Sequence, residues 1–439
     1  MTGEFSETLM PLWRRLARIG AVALGIAAVV CLLRTVHCVT RITTPIDVCD
    51  VPAPWPQAVV WFVACLACGL VFALLLRGSV ILRWPDWCVL AAAAVLLTAA
   101  ACRYRWELRL LGAPSLHAMP VDSRGYVVEK LPFAFAASFA RGTNVYFADA
   151  RGDVYRSDDA DPAAARIRLG GTGMAPPRML FVSARGTLFV SSMGLGTMRS
   201  TDGGMTWEKC HDWSFWRMDE DEAAGVLYAG NYTPKQNAGG HAAVFKSTDD
   251  GKSWREVFTD RRLHHVHTVR FDDRFHRLYI ATGDAVARGQ LYTDDGGTTW
   301  HAIIAGRKQG NTDVAIAPSA VFWGSDDWLG RIVCAPRDTP DAGRSVLWCD
   351  DRQIWFLDSS GSQLYAGTMA ERPSVGDAVY LAASADEGKT WQKLLALRAS
   401  KAGMFGFTGD SRRCSAGGWL YFATVDGAGY RVRRESSSR

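Results

Sequence analysis

"STDGGMTW", residues 200–207, is one of four closely related octets in this chain. The others are "STDDGKSW" (247–254), "TDDGGTTW" (293–300) and "SADEGKTW" (384–391). Their starts are 47, 46 and 91 residues apart, and the last step is close to two of the shorter ones. A fixed period of this size is typical of proteins built from stacked or radially arranged repeats.

Two degenerate copies fit the same period. "TPDAGRSV" (339–346) keeps the Thr, Asp, Gly and Ser positions but has Val346 in place of the tryptophan. "SDDADPAA" (157–164) keeps only Ser157 and Asp159. The pattern Ser/Thr-x-Asp-x-Gly-x-Thr/Ser-Trp, called the box below, therefore occurs in four intact and two degenerate copies.

The chemistry of the box predicts the turn of a β-hairpin. An aspartate can accept hydrogen bonds from backbone N–H groups two residues on, and glycine adopts a positive φ without steric cost. Short β-prone segments lie on both sides, and the tryptophan supplies a large apolar anchor. The residues with this structural role are Ser200, Asp202, Gly204, Trp207, Ser247, Asp249, Gly251, Trp254, Thr293, Asp295, Gly297, Trp300, Ser384, Asp386, Gly388 and Trp391.

A second phrase, such as "VLYAGNY" or "QLYAGTM", occurs seven times if "NVYFADA" (144–150) is included. Seven units of about four strands each predict an all-β seven-bladed β-propeller over residues 125–435. The last unit has no box, so we expect "GYVVEK" (125–130) to supply its outer strand. Closing the ring in this way removes a free sheet edge.

These boxes resemble the Asp-box (bacterial neuraminidase, BNR) repeat of sialidases, sortilin-type receptors and photosystem assembly propellers. The resemblance implies that the box is structural and that it lies on the face opposite any active site. It says little about activity.

The first 110 residues have a different composition. Three uncharged apolar runs predict transmembrane helices at about 19–35, 57–76 and 86–102, followed by a linker at 111–124. The alternative is a signal peptide followed by buried helices. A formal net charge of +5 without a basic stripe gives no reason to expect nucleic acid as a partner.

Three spans would place the N-terminus and the propeller on opposite sides of a lipid bilayer. Five arginines flank each side, so the positive-inside rule alone does not decide the orientation. The cluster Arg14, Arg15 and Arg18 before the first span favours a cytoplasmic N-terminus, because the first helix usually dominates. We therefore expect a multi-pass inner-membrane protein with a periplasmic propeller, the location that the resemblance also implies.

The cysteines allow two disulfide hypotheses. Cys38 and Cys49 fall in the first outer loop and could pair. Cys334 and Cys349 flank the degenerate box at 339–346, so we expect them to lie nearly opposite each other across its hairpin. Either disulfide would require an oxidising compartment; the alternative is ordinary buried thiols.

Propeller topology places the residues that follow each second strand on the face opposite the boxes, called the open face below. "HHVHTVRFDD" (264–273) leads into the fourth blade, and its alternation points two histidines to the same side. The predicted ligand-binding cluster is polar and partly acidic: His265, His267, Asn231, Asp284, Asp326 and Asp327, with Arg270 and Arg372 as outer members.

Three interpretations of this cluster remain open. Carboxylates and imidazoles could bind the hydroxyls of a sugar, or an anion. An H-x-H pair with a carboxylate could hold a divalent ion. Alternatively, the cluster is an ordinary solvated rim. We assign no metal and no cofactor.

The sequence favours a binding protein over an enzyme. Sialidases use a Tyr nucleophile, and the resemblance adds a Glu partner, an Asp acid/base and three Arg that clamp the substrate. Neither an Arg triad nor a Tyr–Glu pair can be assigned, and "RMLFV" at Arg178 and "ARGTN" at Arg141 do not match the expected arginine stretch. We expect a membrane-anchored propeller that binds a glycan, an envelope polysaccharide or a membrane-protein partner. The alternative is a glycoside hydrolase, sialidase-like, or a lyase.

Overall fold

A computed structural model describes thirteen segments of the chain. They are residues 113–116, 118–164, 166–232, 241–282, 289–303, 311–325, 330–340, 344–349, 353–370, 378–398, 405–408, 414–424 and 427–435. The three predicted spans, with Cys38 and Cys49, lie outside these segments. Within the thirteen described segments, no helix has the length and apolarity needed to cross a bilayer.

The described chain is all-β. Its strands, in chain order, are β1 (Tyr126–Ala134), β2 (Ala137–Arg141), β3 (Asn144–Ala148), β4 (Asp153–Asp158), β5 (Ile167–Gly171), β6 (Pro177–Val182), β7 (Leu188–Ser192), β8 (Gly196–Ser200), β9 (Glu208–His211), β10 (Phe215–Asp221), β11 (Val226–Asn231), β12 (Ala242–Ser247), β13 (Arg255–Asp260), β14 (Val266–Asp272), β15 (Arg277–Thr282), β16 (Gln290–Thr293), β17 (His301–Ala302), β18 (Asn311–Ile316), β19 (Ala320–Ser325), β20 (Gly330–Pro336), β21 (Arg344–Cys349), β22 (Gln353–Ser360), β23 (Gln363–Ala370), β24 (Ala378–Ser384), β25 (Gln392–Arg398), β26 (Phe405–Thr408), β27 (Leu420–Thr424) and β28 (Ala428–Arg434).

These strands form the predicted seven-bladed propeller. Blade 1 is β2–β5, blade 2 is β6–β9, blade 3 is β10–β13, blade 4 is β14–β17, blade 5 is β18–β21 and blade 6 is β22–β25. Blade 7 is made of β26, β27, β28 and β1, and β26 also pairs with β23 of blade 6, which joins the two blades in one eight-stranded sheet. The innermost strands of successive blades contact one another, and β2 of blade 1 contacts β27 of blade 7, which completes the ring.

The ring closes through the strand that the sequence predicted. β1 pairs antiparallel with β28, with Tyr126 opposite Arg434 and Lys130 opposite Tyr430. Because the first strand of the propeller completes the last blade, the two ends of the propeller chain are hydrogen-bonded to each other. The expectation for residues 125–130 is confirmed, and the strand extends further, to Ala134.

Each intact box connects the third and fourth strands of a blade, and this defines the box face. In blade 2, Ser200 Oγ donates to Asp202 Oδ1 at 2.8 Å and accepts from the N–H of Gly204 at 2.8 Å. Asp202 also accepts from the N–H of Thr206 at 3.0 Å. Trp207 Nε1 donates to the carbonyl oxygen of Gly204 at 3.0 Å. The box thus satisfies its own backbone, as a turn between buried strands must.

The box glycines also join neighbouring blades. A Cβ added to Gly204 would lie 2.7 Å from Leu169 Cβ in blade 1, and one added to Gly251 would lie 2.4 Å from Phe189 in blade 2. Both glycines have positive φ values, +93° and +79°. Glycine is therefore required at this position for two reasons: the backbone adopts a positive φ, and the preceding blade leaves no room for a Cβ atom.

The degenerate box of blade 1 also joins two blades, but through different contacts. Asp159 accepts from Tyr421 Oη at 2.7 Å and from the N–H of Gly417 at 2.8 Å. Both partners belong to blade 7, and Asp159 is buried. This carboxylate therefore links the first and last blades where the ring closes.

The degenerate box of blade 5 packs against the segment that precedes the propeller. Leu116 is completely buried in a cluster with Val346, the residue at the missing tryptophan position, and Trp391 of the next box. Further on, Val121 forms a bridge with Lys393. The described part of the segment before β1 therefore lies on the box face, along blades 5 and 6.

The register of the blade 5 hairpin corrects the expectation for one cysteine pair. Cys334 lies opposite Arg344, whereas Cys349 lies opposite Gly330. The two cysteines are thus offset by four positions, about 13 Å at ~3.3 Å per residue. Disulfides require Cα atoms within about 7 Å, so this hairpin does not bring the pair together.

Candidate binding site on the open face

The two predicted histidines meet at the start of blade 4. His265 precedes β14 and His267 lies within it, and the Nε2 atoms of the two rings are 2.7 Å apart. The rings stack with centroids 4.6 Å apart, and their residues are 0% and 5% exposed. One imidazole must donate and the other accept, so this contact fits a pair that shares one proton between the facing nitrogens.

Two aromatic rings of blade 3 extend this pair into a column. Tyr232 stacks on His265 with centroids 4.1 Å apart and an interplanar angle of 26°. Trp216 stacks on Tyr232 in turn, with ring centroids 4.2 Å apart and an interplanar angle of 24°. Both blade 3 rings are half-buried. Trp216, Tyr232, His265 and His267 are called the ring stack below.

A recurring β-bulge gives Trp216 and His267 equivalent places in their blades. The register between the first and second strands shifts once in blades 2 to 6. The residues at the shift are Arg178, Trp216, His267, Thr312 and Trp355. A bulge turns a single side chain away from the regular alternation of its strand. One residue in each of these blades is therefore redirected near the open-face end of the first strand.

Asn231 serves the backbone instead of facing a ligand. It is completely buried at the end of β11. Its Nδ2 donates to the carbonyl oxygen of His241 at 2.7 Å, and its Oδ1 accepts from the N–H of Ala243 at 2.8 Å. Thr368 occupies the same place in blade 6 and accepts from the N–H of Tyr380. Residues at the ends of second strands thus close the connection to the third strand.

The remaining predicted residues separate into two groups. Asp284, Asp326, Asp327 and Arg372 lie outside the residues that the structure describes. Arg270 lies deeper in the channel, where its Nη2 donates to Asp358 Oδ1 at 3.0 Å and its Nε donates to the carbonyl oxygen of Val314 at 2.9 Å. Arg270 therefore joins blades 4, 5 and 6 and is not an outer member of the ring stack.

Described carboxylates of the inner strands hold the blades together. Asp219 of blade 3 accepts from the N–H of Phe271 in blade 4 at 2.9 Å. Asp313 of blade 5 accepts from the N–H of Leu357 in blade 6 at 3.3 Å. Burial raises the pKa of Glu220, although the Arg141 guanidinium and the N–H of Ala184 both donate to it. These carboxylates have structural partners within the propeller.

The described residues include no group of three or more His, Cys, Asp or Glu side chains arranged to hold a metal ion. His211, at the open-face end of β9 in blade 2, packs against Phe215 and Phe245 of blade 3, and burial lowers its pKa. This imidazole is therefore neutral near pH 7. The Arg217 guanidinium lies over the Trp216 ring, 5.9 Å from its centroid, so one cation borders the ring stack.

Comparison with known proteins supports the repeat and the fold. Residues 198–209 and 291–302 match the family model of the BNR/Asp-box repeat, and these spans cover two of the four intact boxes. The chain therefore carries BNR/Asp-box repeats, as the sequence indicated. No curated protein matches it significantly.

Solved propellers resemble the structure at low sequence identity. YCF48 bound to D1 peptide is 12% identical with a TM-score of 0.50, covering 73% of this chain and 100% of that one. An oligogalacturonate lyase from Vibrio parahaemolyticus is 14% identical with a TM-score of 0.50 and the same coverage. An ancestral GH74 enzyme is 14% identical with a TM-score of 0.49. The matched region covers 71% of this chain and 47% of the GH74 enzyme. This chain thus spans about half of that enzyme, and the similarities show the fold alone.

Proposed function

We propose that this protein is a membrane-anchored, extracytoplasmic propeller that binds a glycan, such as an envelope polysaccharide, through its open face. The ring stack is the binding site. Trp216 and Tyr232 supply the contact surface, and His265 and His267 form its buried base. The membrane anchor and the periplasmic location rest on the sequence of residues 1–110.

The observation that carries this proposal is the parallel packing of half-buried aromatic rings against a buried histidine pair. Sugar rings present apolar C–H faces that pack against flat aromatic surfaces. Because Trp216 is already fixed against Tyr232, binding would cost little side-chain ordering. A structural core would be expected to bury these rings completely, whereas Trp216 and Tyr232 keep part of their surface accessible.

Two features support binding over hydrolysis. Most glycoside hydrolases use two carboxyl groups that flank the scissile bond. Three of the described inner-strand aspartates, Asp219, Asp313 and Asp358, instead accept hydrogen bonds from backbone N–H groups of their own or the next blade. The described segment before β1 lies on the box face, so it leaves the open face uncovered.

The test is a binding titration on the full-length protein held in an amphipathic polymer. A panel of neutral and acidic envelope polysaccharides would be titrated while intrinsic tryptophan fluorescence and heat of binding are measured. Trp216→Ala should weaken binding at least tenfold, about 1.4 kcal/mol, because it removes the outer ring of the stack. Met205→Ala is the matched control, since Met205 is 76% exposed on the box face.

Product analysis in the same samples separates the alternatives. Polysaccharide binding without new chain ends supports a binding protein. Turnover that disappears in a His265→Ala, His267→Ala double variant would instead make this a glycoside hydrolase or lyase. Equal affinity of wild type and Trp216→Ala would exclude the ring stack as the site.

A further inference from the structure

Two exposed aliphatic side chains lie on the open face next to the ring stack. Met193 and Leu195 are 37% and 46% exposed, and they flank Gly194 in the turn between β7 and β8 of blade 2. A Cβ on Gly194 would meet no atom within 4 Å, so the tip of the turn faces open space. Exposed apolar residues are common singly, but two on one three-residue turn form a small apolar surface.

Ser214 holds this turn in place. Its Oγ accepts from the N–H groups of Gly194 at 2.9 Å and Gly196 at 3.4 Å, and donates to the carbonyl oxygen of Ser192 at 2.6 Å. Ser214 itself is buried. The exposed side chains therefore stand on a turn that is fixed at both ends.

The same residue positions the ring stack. The carbonyl oxygen of Ser214 accepts from the N–H of Tyr232 at 2.8 Å, and Trp216 follows only two residues later, about 7 Å along the strand. The aliphatic pair and the aromatic rings are thus attached to one buried anchor. They form neighbouring parts of a single surface on blades 2 and 3.

The backbone N–H groups of the turn are already hydrogen-bonded within the protein. The N–H groups of Gly194 and Gly196 are bonded to Ser214, and that of Leu195 donates to the carbonyl oxygen of Ser192 at 3.1 Å. Peptides that bind in extended form usually depend on main-chain hydrogen bonds. A ligand that contacts only the Met193 and Leu195 side chains fits this turn better, and an aliphatic chain is such a ligand.

We infer that the open face binds an amphiphilic saccharide, with the sugar on the ring stack and an attached aliphatic chain on Met193 and Leu195. The inference rests on the proposed function and adds the ligand class, a glycolipid or alkyl-linked glycan. The three apolar runs predicted as membrane spans favour such a ligand, because a bilayer is where these amphiphiles are found.

The experiment compares methyl and octyl glycosides of the same sugar, below the micelle concentration of the octyl compound. Glucose, galactose and N-acetylglucosamine would each be used, with the full-length protein in an amphipathic polymer. Wild type should bind one octyl glycoside at least tenfold more tightly than its methyl partner, since each buried CH₂ group strengthens binding.

A Met193→Ser, Leu195→Ser double variant should bring this ratio close to one while the affinity for the methyl glycoside stays unchanged. Trp216→Ala should weaken binding of both glycosides. Met205→Ser is the control for adding a serine at an exposed methionine, and it should leave the ratio unchanged.

The outcomes separate this inference from the function on which it rests. Methyl glycosides that bind as tightly as octyl glycosides would overturn the aliphatic subsite and leave glycan binding intact. A preference for octyl glycosides that survives the double variant would also overturn it. Failure of wild type to bind any glycoside or polysaccharide would overturn both proposals.

Discussion

Replacing Gly204 with alanine tests whether the box acts as a joint between blades. The backbone of Gly204 has φ of +93°, and an added Cβ would lie 2.7 Å from Leu169 Cβ in blade 1. Real Cβ atoms do not approach this closely, so the two blades would have to separate locally. The change thus combines backbone strain with overpacking at one position.

The neighbouring Gly203 provides a matched control in the same turn. Its φ is +74°, but a Cβ there would meet no atom within 4 Å. Gly203→Ala should therefore cost only the left-handed conformation of an L-residue, about 1 kcal/mol of unfolding free energy. Gly204→Ala should cost this amount plus overpacking of about 1–3 kcal/mol, a total of about 2–4 kcal/mol.

The assay is equilibrium unfolding in urea, followed by tryptophan fluorescence, on wild type and both variants. The decisive quantity is the difference between the two alanine variants, because the strain common to both cancels. A difference of at least 1 kcal/mol supports an inter-blade joint. Equal losses of stability would show that glycine is needed only for its φ, and would refute the packing argument.

Three further predictions concern buried or bonded charges and thiols. Arg270→Met should reduce the unfolding free energy by about 3–5 kcal/mol, because Asp358 would keep a buried charge without its guanidinium; calorimetry should show part of this loss recovered in an Arg270→Met, Asp358→Leu double variant. Asp202 has its pKa lowered to about 2, mainly by the hydrogen bonds from Thr206. Its stabilising effect should therefore be complete above about pH 4 and disappear as the pH falls through 2, so thermal unfolding of wild type and Asp202→Asn should converge there. Burial raises the pKa of both Cys210 and Cys414 to about 12, so neither thiol should react with iodoacetamide at pH 8 until the protein is unfolded, as peptide mass mapping would show.

The scaffold could be predicted because its signals are local in sequence. A box needs Ser, Asp, Gly and Trp within eight residues, and the hydrogen bonds among Ser200, Asp202 and Gly204 all lie within that span. The closing strand β1 was also predictable, since a count of strands left the last blade one short. Periodicity and strand count were sufficient for these features.

The ring stack could be predicted only in part. The alternation of His265 and His267 was visible, because both residues lie on one strand. Trp216 and Tyr232 belong to another blade and reach the histidines through the curvature of the ring and a β-bulge, neither of which leaves a periodic signal. Position after a second strand was a poor guide, since the buried amide of Asn231 is needed by the backbone.

The cysteine pair of blade 5 shows a similar limit. Because Cys334 and Cys349 flank a turn, we expected them to face each other. Which residues face each other across a hairpin also depends on the length and register of its two strands. Cys334 pairs with Arg344, the first residue of β21, whereas Cys349 is the last residue of that strand. Which residues lie opposite each other is set by loop length and strand register, and neither can be read from the sequence of the turn.

The most direct test of the central claim is hydrogen–deuterium exchange of the full-length protein with and without the tightest-binding glycan from the panel. Glycan bound at the ring stack should slow exchange in peptides that cover 213–218, 230–232 and 264–268. Peptides from the boxes at 200–207 and 384–391 should be unchanged, because they lie on the opposite face. Protection confined to the boxes, or absent from blades 3 and 4, would contradict the assignment of the open face as the binding surface.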